Sequence, residues 1–234
     1  MYKERSSQTG KIMTNSRTKG EVLGETAKTR IKEKLLQDLF NIKKEFWSKE
    51  TDKGNEQEGE SIKLFSKVSG SFGLVKNLEH FENEFFTGTP DVITKDYVID
   101  IKTSWSASTF PFFETEIPTK DYFYQLQAYM DLTGKSKALL VYCLTDASED
   151  QIQDEIRRQG WKDKLIDPTD EQIEALENKV RGQMTFSQVP DQLRVKVFEI
   201  DLCNTTLEAM RERVQVAGNY YLKLKKELEK KLIS

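Results

Sequence analysis

The segment that most constrains the fold is Ala138–Leu144, a run of apolar residues without a charged side chain. A strand that is apolar at every position, rather than at alternate ones, is typical of the middle of a sheet with both faces covered. The segment follows a predicted helix that begins near Thr119 and ends at Gly134, a residue suited to a helix C-terminus. We therefore expect Ala138–Leu144 to be a central strand buried on both faces.

The rest of the chain predicts a mixed α/β domain. The other expected elements, in chain order, are a polar N-terminal arm, an amphipathic helix over Thr26–Lys44, a polar break over Ser48–Gly54, a short helix ending near Ser66, a run of strands over Phe72–Lys102, two acidic helices opened by capping boxes at Ser148 and Thr169, an edge strand over Arg194–Ile200, and a long final helix. This order of helix, strands, helix and strand, with helices added, is typical of the mixed α/β class.

The length of 234 residues suits one sizeable core, so we expect a single domain. Its parts would be a basic N-terminal arm (1–20), a core (21–145), an acidic helical insertion (146–190), and an edge strand with the C-terminal helix (191–234). In that last helix, apolar residues from Leu207 to Leu228 keep a spacing of three and four. This stripe predicts either packing on the helix's own domain or a seam between subunits of a homo-oligomer.

Composition excludes several classes of protein. No apolar run approaches the about 20 residues of a transmembrane helix, and residues 1–20 lack the apolar stretch of a signal peptide, so we expect a cytoplasmic protein. Cys143 and Cys203 are too few for a disulfide framework or a four-cysteine metal site, and we expect both to be reduced core residues. His80 is the only histidine, which argues against histidine-based metal clusters and catalytic triads.

The charge is unevenly distributed along the chain. The formal net charge is -3, yet residues 1–50 hold 12 Lys and Arg against 7 Asp and Glu. This basic region predicts either a surface that lies along a phosphate backbone or an ordinary solvated surface.

Two carboxylates and a lysine are expected to converge in one hairpin. If residues 91–102 turn at Lys95-Asp96 with a two-residue loop, Asp91 lies directly opposite Asp100. Facing residues in such a pair are close, and like charges there are destabilising, so a cation is expected between them. Lys102 projects from the same face of the strand as Asp100. This set predicts an oxygen-ligand site for Mg²⁺ or Mn²⁺ beside a group that can handle protons.

A third carboxylate is predicted by helical geometry. Glu58, Ile62 and Phe65 fall at i, i+4 and i+7, which places Glu58 on the inward face of its helix. A carboxylate on an apolar face is costly unless it is paired or binds a metal. Glu58 is therefore the candidate third ligand; in the alternative interpretation the helix begins elsewhere and Glu58 is solvated.

Gln125 and Tyr129 share a face of the next helix because they are four residues apart. Gln125 could bond a metal-bound water or a scissile phosphate, while Tyr129 could contact the DNA backbone or belong to the core. A neighbouring loop carries four aromatic residues, which predict either stacking on DNA bases or packing on the sheet: Trp105, Phe110, Phe112 and Phe113.

Taken in order, four motifs resemble the PD-(D/E)XK nuclease superfamily, and within it the lambda-type, or YqaJ-like, viral exonucleases. They are Glu58, the turn at 88–91, Asp100-Ile101-Lys102, and the segment 125–129. The likeness covers roughly residues 10–145. It implies a restriction-endonuclease-like core of helix, three-stranded antiparallel run, helix and parallel strand, with Mg²⁺-dependent hydrolysis of DNA.

The resemblance also assigns roles to residues. Glu58, Asp91, Asp100 and the Ile101 carbonyl would hold the metal, while Lys102 would position or deprotonate the attacking water. Gln125 would help to orient that water. Asp100 stands where many members of the family have Glu; its shorter side chain would tighten the metal position without removing a ligand. The segment 14–17 loosely resembles a family segment near the DNA 5′ end, so Ser16 and Arg17 are candidate DNA contacts.

As family traits, the resemblance implies 5′-to-3′ degradation of double-stranded ends in a bacterial or phage-infected cytoplasm, and a single-strand annealing protein as partner. Two alternatives stay open at this point. One is an endonuclease or nickase of the same superfamily, and the other is a DNA-binding protein with a degenerate nuclease fold. Degeneration normally removes a metal ligand or the lysine, and none is missing from this sequence.

Overall fold

A computed structural model describes residues 2–42, 49–165 and 168–233 of the chain. Its helices are α1 (Thr9–Ile12), α2 (Glu25–Phe40), α3 (Lys49–Ser69), α4 (Lys120–Thr133), α5 (Glu149–Lys162), α6 (Asp170–Met184) and α7 (Asn204–Ile233). Its strands are β1 (Glu4–Arg5), β2 (Phe81–Glu82), β3 (Phe86–Gly88), β4 (Val92–Ile93), β5 (Tyr97–Thr103), β6 (Lys137–Cys143) and β7 (Val195–Asp201). Short 3-10 turns lie at Ser6–Gln8, Ala107–Thr109 and Asp191–Leu193. In the described part of the chain no helix is both long and apolar enough to cross a membrane.

The expected central strand is confirmed as β6. It lies in a four-stranded sheet of order β4-β5-β6-β7, in which β5 and β6 are parallel and both outer pairs are antiparallel. The strand β7 is therefore the edge strand that its alternating sequence predicted. The mixed α/β class and the restriction-endonuclease-like order are confirmed.

Helices cover both faces of this sheet. On one face, Leu140 and Tyr142 of β6 pack with Leu126 and Met130 of α4. On the other, Val141 of β6 packs with residues of β5 and α3: Ile99, Ile101, Ile62 and Phe65. Because successive strand residues point to opposite faces, a strand between two helical layers must be apolar throughout. That requirement explains the unbroken apolar run.

The predicted run of strands over Phe72–Lys102 is shorter than expected and is divided between two sheets. Residues 71–80 form no strand, and Phe72, Val75 and Leu78 are exposed. Gly70 and Gly73 have positive φ values, which interrupt an extended backbone. The strands β1, β3 and β2 form a separate three-stranded sheet, since Pro90 interrupts the backbone between β3 and β4.

Two predicted helix boundaries are also changed. The first long helix ends at Phe40, followed by Asn41 in the left-handed region, and the predicted end at Lys44 lies outside the described residues. The expected polar break over Ser48–Gly54 is wrong for residues 49–54, which are helical in α3; Ser48 lies outside the described residues. A polar sequence joins a helix when the following turns are anchored by packing, as Ile62 and Phe65 anchor this one.

The N-terminal segment, expected as a polar arm, is partly buried. Glu4, Ser6, Thr9 and Ile12 are buried, and β1 pairs in parallel with β3. The helices α1 and α4 approach so closely that a Cβ on Gly10 would lie 2.8 Å from the Cα of Asp121. Residues 4–12 are therefore part of the packed body of the protein.

The C-terminal part largely follows the sequence patterns. The capping boxes at Ser148 and Thr169 are both formed and open α5 and α6. Four residues of the α7 stripe are buried within the same chain: Leu207, Met210, Val214 and Ala217. This part of the stripe packs on its own domain, as one of the two alternatives predicted. Both cysteines are free, with Cys143 buried; the expectation of a core position is wrong for Cys203, which is partly exposed.

A buried ion pair ties the N-terminal segment to α2. The Glu4 carboxylate is fully buried and accepts hydrogen bonds from Arg30 Nη2 at 2.6 Å, from Tyr2 Oη at 2.6 Å and from the Arg5 backbone N–H at 2.9 Å. Three donors offset the cost of burying this charge.

We predict that Arg30→Ala lowers the free energy of unfolding by about 3–5 kcal/mol, because it leaves Glu4 buried without its cation. Urea unfolding followed by circular dichroism measures this loss. Lys34→Ala on the same helix is the control, since it removes a surface pair with Asp38 and a contact with the Tyr2 ring at 5.9 Å but leaves the Glu4–Arg30 pair intact, and it should cost about 1 kcal/mol or less. Equal losses of unfolding free energy in the two variants would contradict the stabilising role of the Glu4–Arg30 pair.

Candidate active site

A polar cavity of about 800 Å³ lies at the ends of β4 and β5 and is bounded by α3 and α4. Five of the predicted site residues, together with Ile101 and Tyr129, line it. These five are Glu58, Asp91, Asp100, Lys102 and Gln125. Residues separated by more than sixty positions in the sequence thus share one cavity.

The hairpin has the predicted register. Val92 pairs with Ile99 and Ile93 with Val98, so Asp91 is placed at the level of Asp100. Asp91 Oδ2 accepts a hydrogen bond from the backbone N–H of Ile101 at 2.6 Å. This bond directs the Asp91 carboxylate toward β5.

Burial and mutual repulsion alter the chemistry of the carboxylate pair. Burial raises the pKa of Asp91 to about 7, and the nearby charge of Asp100 adds to this effect. Asp100 is almost completely buried, with 2% of its surface exposed. Two acidic groups held this close favour a cation between them, or a proton in its absence.

Lys102 is the cation next to this pair. Its Nζ lies 2.8 Å from Asp100 Oδ2 and 4.8 Å from the centre of the Tyr122 ring. Burial alone would lower the pKa of Lys102, but the charges of Asp100 and Asp91 outweigh burial and raise it. The amine is therefore held as an ammonium ion, suited to orienting an anion or a water molecule rather than to accepting a proton.

Glu58 reaches the cavity from α3, as the helical spacing predicted. Its side chain is 18% exposed, and Oε2 pairs with Lys76 Nζ at 2.6 Å. The other oxygen, Oε1, is buried and has no hydrogen-bond partner among the described residues. An unpartnered buried carboxylate oxygen is costly, so the site favours a further ligand there.

Gln125 is buried and binds one member of the carboxylate pair, Asp100. Its Nε2 donates to Asp100 Oδ1 at 2.8 Å and to Tyr129 Oη at 3.2 Å, and Tyr129 donates to the Thr89 carbonyl at 3.3 Å. Tyr129 is buried in the core on the α4 side of the sheet but directs its hydroxyl to the cavity wall. Tyr129 is therefore a core residue whose hydroxyl group also forms part of the cavity wall.

Sequence reasoning missed the contribution of the N-terminal segment to the cavity. Arg5, Ser7 and Gln8 line it, while the candidate DNA contacts Ser16 and Arg17 lie outside its lining. Ser16 Oγ instead accepts from the Thr18 backbone N–H at 3.0 Å. No local pattern in residues 4–8 marks them as site residues, because only the pairing of β1 with β3 carries them there.

The aromatic residues of the loop after β5 differ in their surroundings. Phe110 is buried in the core, and Phe113 is 93% exposed. Trp105 lines the cavity and also packs against the apolar contact between α5 and α6. Only Trp105 of this group reaches the candidate site in the described structure.

The oxygen donors of the cavity are of the type that Mg²⁺ and Mn²⁺ prefer. Among the described residues, no three acidic, histidine or cysteine side chains already stand close enough to hold a metal ion. Lys76 pairs with Glu58, and Lys102 pairs with Asp100. The donors fit a divalent cation by their chemistry: the Asp91–Asp100 pair lines the cavity, and the buried Glu58 Oε1 has no hydrogen-bond partner among the described residues.

Comparisons with known proteins place this fold. No family model matches the chain, and a search of curated proteins finds no match. Among solved structures, a phage-related exonuclease from Haemophilus somnus 129PT has a TM-score of 0.77 and 27% sequence identity, over 97% of both chains. LHK-Exo, an alkaline exonuclease from Laribacter hongkongensis, has a TM-score of 0.67 and 14% identity, over 99% of this chain and 93% of that one.

LHK-Exo in complex with dAMP matches with a TM-score of 0.65 and 15% identity. These matches extend through the helices α5, α6 and α7, well beyond the motifs of residues 58–129. The fold of the whole chain is therefore similar to that of phage-related and alkaline exonucleases, which is consistent with the resemblance that the sequence motifs carry.

Proposed function

We propose that this protein is a metal-dependent DNA exonuclease that hydrolyses phosphodiester bonds from a double-stranded end in the 5′-to-3′ direction. The observation that carries the proposal is the convergence of Glu58, Asp91, Asp100 and Lys102 in one cavity. The likeness to a phage-related exonuclease over 97% of both chains supports it. We further propose a role in phage-type recombination or DNA end processing.

Mg²⁺ or Mn²⁺ is the proposed cofactor. Glu58, Asp91, Asp100 and the Ile101 carbonyl are the proposed ligands, and Asp91 and Asp100 are the pair whose repulsion a cation would relieve. When bound, the ion would polarise the scissile phosphate and offset negative charge in the transition state.

The side chains around the ligands have separate tasks. Lys102, held as an ammonium ion by Asp100, would orient the phosphate and the attacking water. Gln125 fixes one Asp100 oxygen through its hydrogen bond, and so would set the direction of the carboxylate. Arg5 and Ser7 lie on the cavity wall and are positioned to contact the DNA backbone.

We predict that Lys102→Met lowers the rate of degradation of linear duplex DNA by about 10²- to 10³-fold, since it removes a positioned positive charge that would stabilise the transition state. The measurement follows 5′-labelled and 3′-labelled linear duplex and covalently closed circular DNA, each with Mg²⁺ and with EDTA. Early release of the 5′ label from linear DNA alone, with no release in EDTA, is the expected result.

Lys95→Ala is the matched control, because Lys95 is an exposed lysine at the turn of the same hairpin. It should retain wild-type activity. Cutting of the closed circle would favour an endonuclease or nickase, early release of the 3′ label would reverse the polarity, and absence of cutting on every substrate would favour a DNA-binding protein.

Gln125 and Gln127 of α4 are expected to differ in role, the first acting in the site and the second in the structure. Gln125→Leu should reduce activity by about 10- to 100-fold, as is common when a hydrogen-bond partner of a metal ligand is removed. Gln127→Leu should instead lower the melting temperature while leaving the specific activity of the folded fraction unchanged. Gln127 is buried but bonds only the backbone at Asp201 and Cys203, at 2.9 and 2.8 Å.

Thermal unfolding and initial rates of the two variants test this pair. Equal loss of specific activity in both variants would show that Gln125 acts through the packing of α4 rather than through Asp100.

A further inference from the structure

Lys76 lies in the segment between α3 and β2, a part of the chain to which neither the sequence motifs nor the proposed function assign a role. Its Nζ lies 2.6 Å from Glu58 Oε2. The Glu58 side chain is 18% exposed and the Lys76 side chain is 50% exposed. A half-exposed ammonium ion thus reaches in from solvent to one of the three cavity carboxylates.

The backbone next to Lys76 is fixed to the hairpin that carries Asp91. The Asn77 backbone N–H donates to the Asp91 carbonyl at 2.7 Å, and Asn77 Nδ2 donates to the Pro90 carbonyl at 3.0 Å. These two bonds hold the segment beside the carboxylates. The contact between Lys76 and Glu58 therefore begins from an anchored backbone position.

The charges of the cavity explain why Lys76 contacts Glu58. Lys102 is already paired with Asp100, so Glu58 takes its cation from Lys76. Glu58 shares the cavity with two further carboxylates, Asp91 and Asp100. An ammonium ion and a divalent cation would both offset the same excess of negative charge.

We propose that Lys76 is an internal counter-ion that competes with the divalent cation for Glu58. The inference rests on the proposed metal site at Glu58, Asp91 and Asp100. In the metal-free protein, Lys76 neutralises Glu58 and holds it at the cavity wall. A bound metal ion would displace the Lys76 ammonium group from Glu58. This competition lowers the apparent affinity for the metal, and the displaced ammonium group is left free at the rim of the cavity.

The test is a titration of the full chain with Mn²⁺ in the absence of DNA, with free Mn²⁺ followed by electron paramagnetic resonance. Lys76→Ala should bind Mn²⁺ about three- to fivefold more tightly than the wild type, the range expected from a partly exposed ion pair. Lys76→Arg, which keeps the charge, should bind within about twofold of the wild type, since the charge rather than the amine is the competitor. Unchanged or weaker binding by Lys76→Ala overturns the proposal.

Lys63→Ala is the matched control for loss of a lysine from this region. Lys63 pairs with Glu60 at 2.7 Å on the outer face of the same helix, with side chains 74% and 58% exposed. This variant should bind Mn²⁺ as the wild type does. If Lys63→Ala bound Mn²⁺ as tightly as Lys76→Ala, the gain in affinity would be explained by the change in net charge alone. That result would overturn the proposal.

Glu58→Gln separates this inference from the proposed function. Weaker Mn²⁺ binding by Glu58→Gln, with unchanged binding by Lys76→Ala, would leave the metal site standing and remove only the role of Lys76. Unchanged binding by Glu58→Gln would overturn both the role of Lys76 and the assignment of Glu58 as a metal ligand. Thermal unfolding gives a second readout: Mn²⁺ should raise the melting temperature of Lys76→Ala more than that of the wild type, because ligand stabilisation grows with affinity.

Discussion

The parallel pairing of β5 with β6 is the constraint on which the rest of the structure depends. Seven pairs of residues, from Tyr97 opposite Lys137 to Thr103 opposite Cys143, hold the two strands together between α3 and α4. Successive residues of β5 point to opposite faces of the sheet. Ile99 and Ile101 pack toward α3, while Asp100 accepts a hydrogen bond from Gln125 of α4. The pairing that forms the core thus also places the polar side chains of the cavity.

The cavity concentrates negative charge at a cost to the stability of the metal-free protein. Asp91, Asp100 and Glu58 face a common space, and one buried oxygen of Glu58 has no hydrogen-bond partner within the described residues. Lys102 and Lys76 offset part of this charge. Functional sites often carry such unfavourable arrangements while the rest of the fold supplies the stability. Here that support comes from the apolar layers on both sides of β5 and β6.

Part of the cavity wall is built from the N-terminal segment of the protein. The pairing of β1 with β3 brings Arg5 and Ser7 next to a cavity formed by residues 58–129. The buried pair of Glu4 with Arg30 fixes the same segment to α2, and α2 packs on α7 through Ile31 and Ala217. Elements outside the catalytic motifs therefore shape the space that a substrate would enter, although none of them contributes a carboxylate to it.

The sequence by itself determined the features that depend on local periodicity and spacing. These are the buried strand β6, the helix α4 with its ends at Thr119 and Gly134, the capping boxes of α5 and α6, and the hairpin register that brings Asp91 to Asp100. The inward position of Glu58 followed in the same way from its distance to Ile62 and Phe65. Each of these follows from the geometry of one helix or one hairpin, which neighbouring residues specify.

Only the tertiary structure decided which distant segments meet. The division of the predicted strands into two sheets, the entry of Arg5 and Ser7 into the cavity, and the contact of Lys76 with Glu58 join residues 18 to more than 80 positions apart. The local sequence does not mark residues 4–8 or 70–80 as part of the cavity, since the first lie in the expected polar arm and most of the second in the expected run of strands. Such contacts arise because burial of the apolar layers selects one arrangement of the whole chain, and the polar residues of its loops are placed by that arrangement.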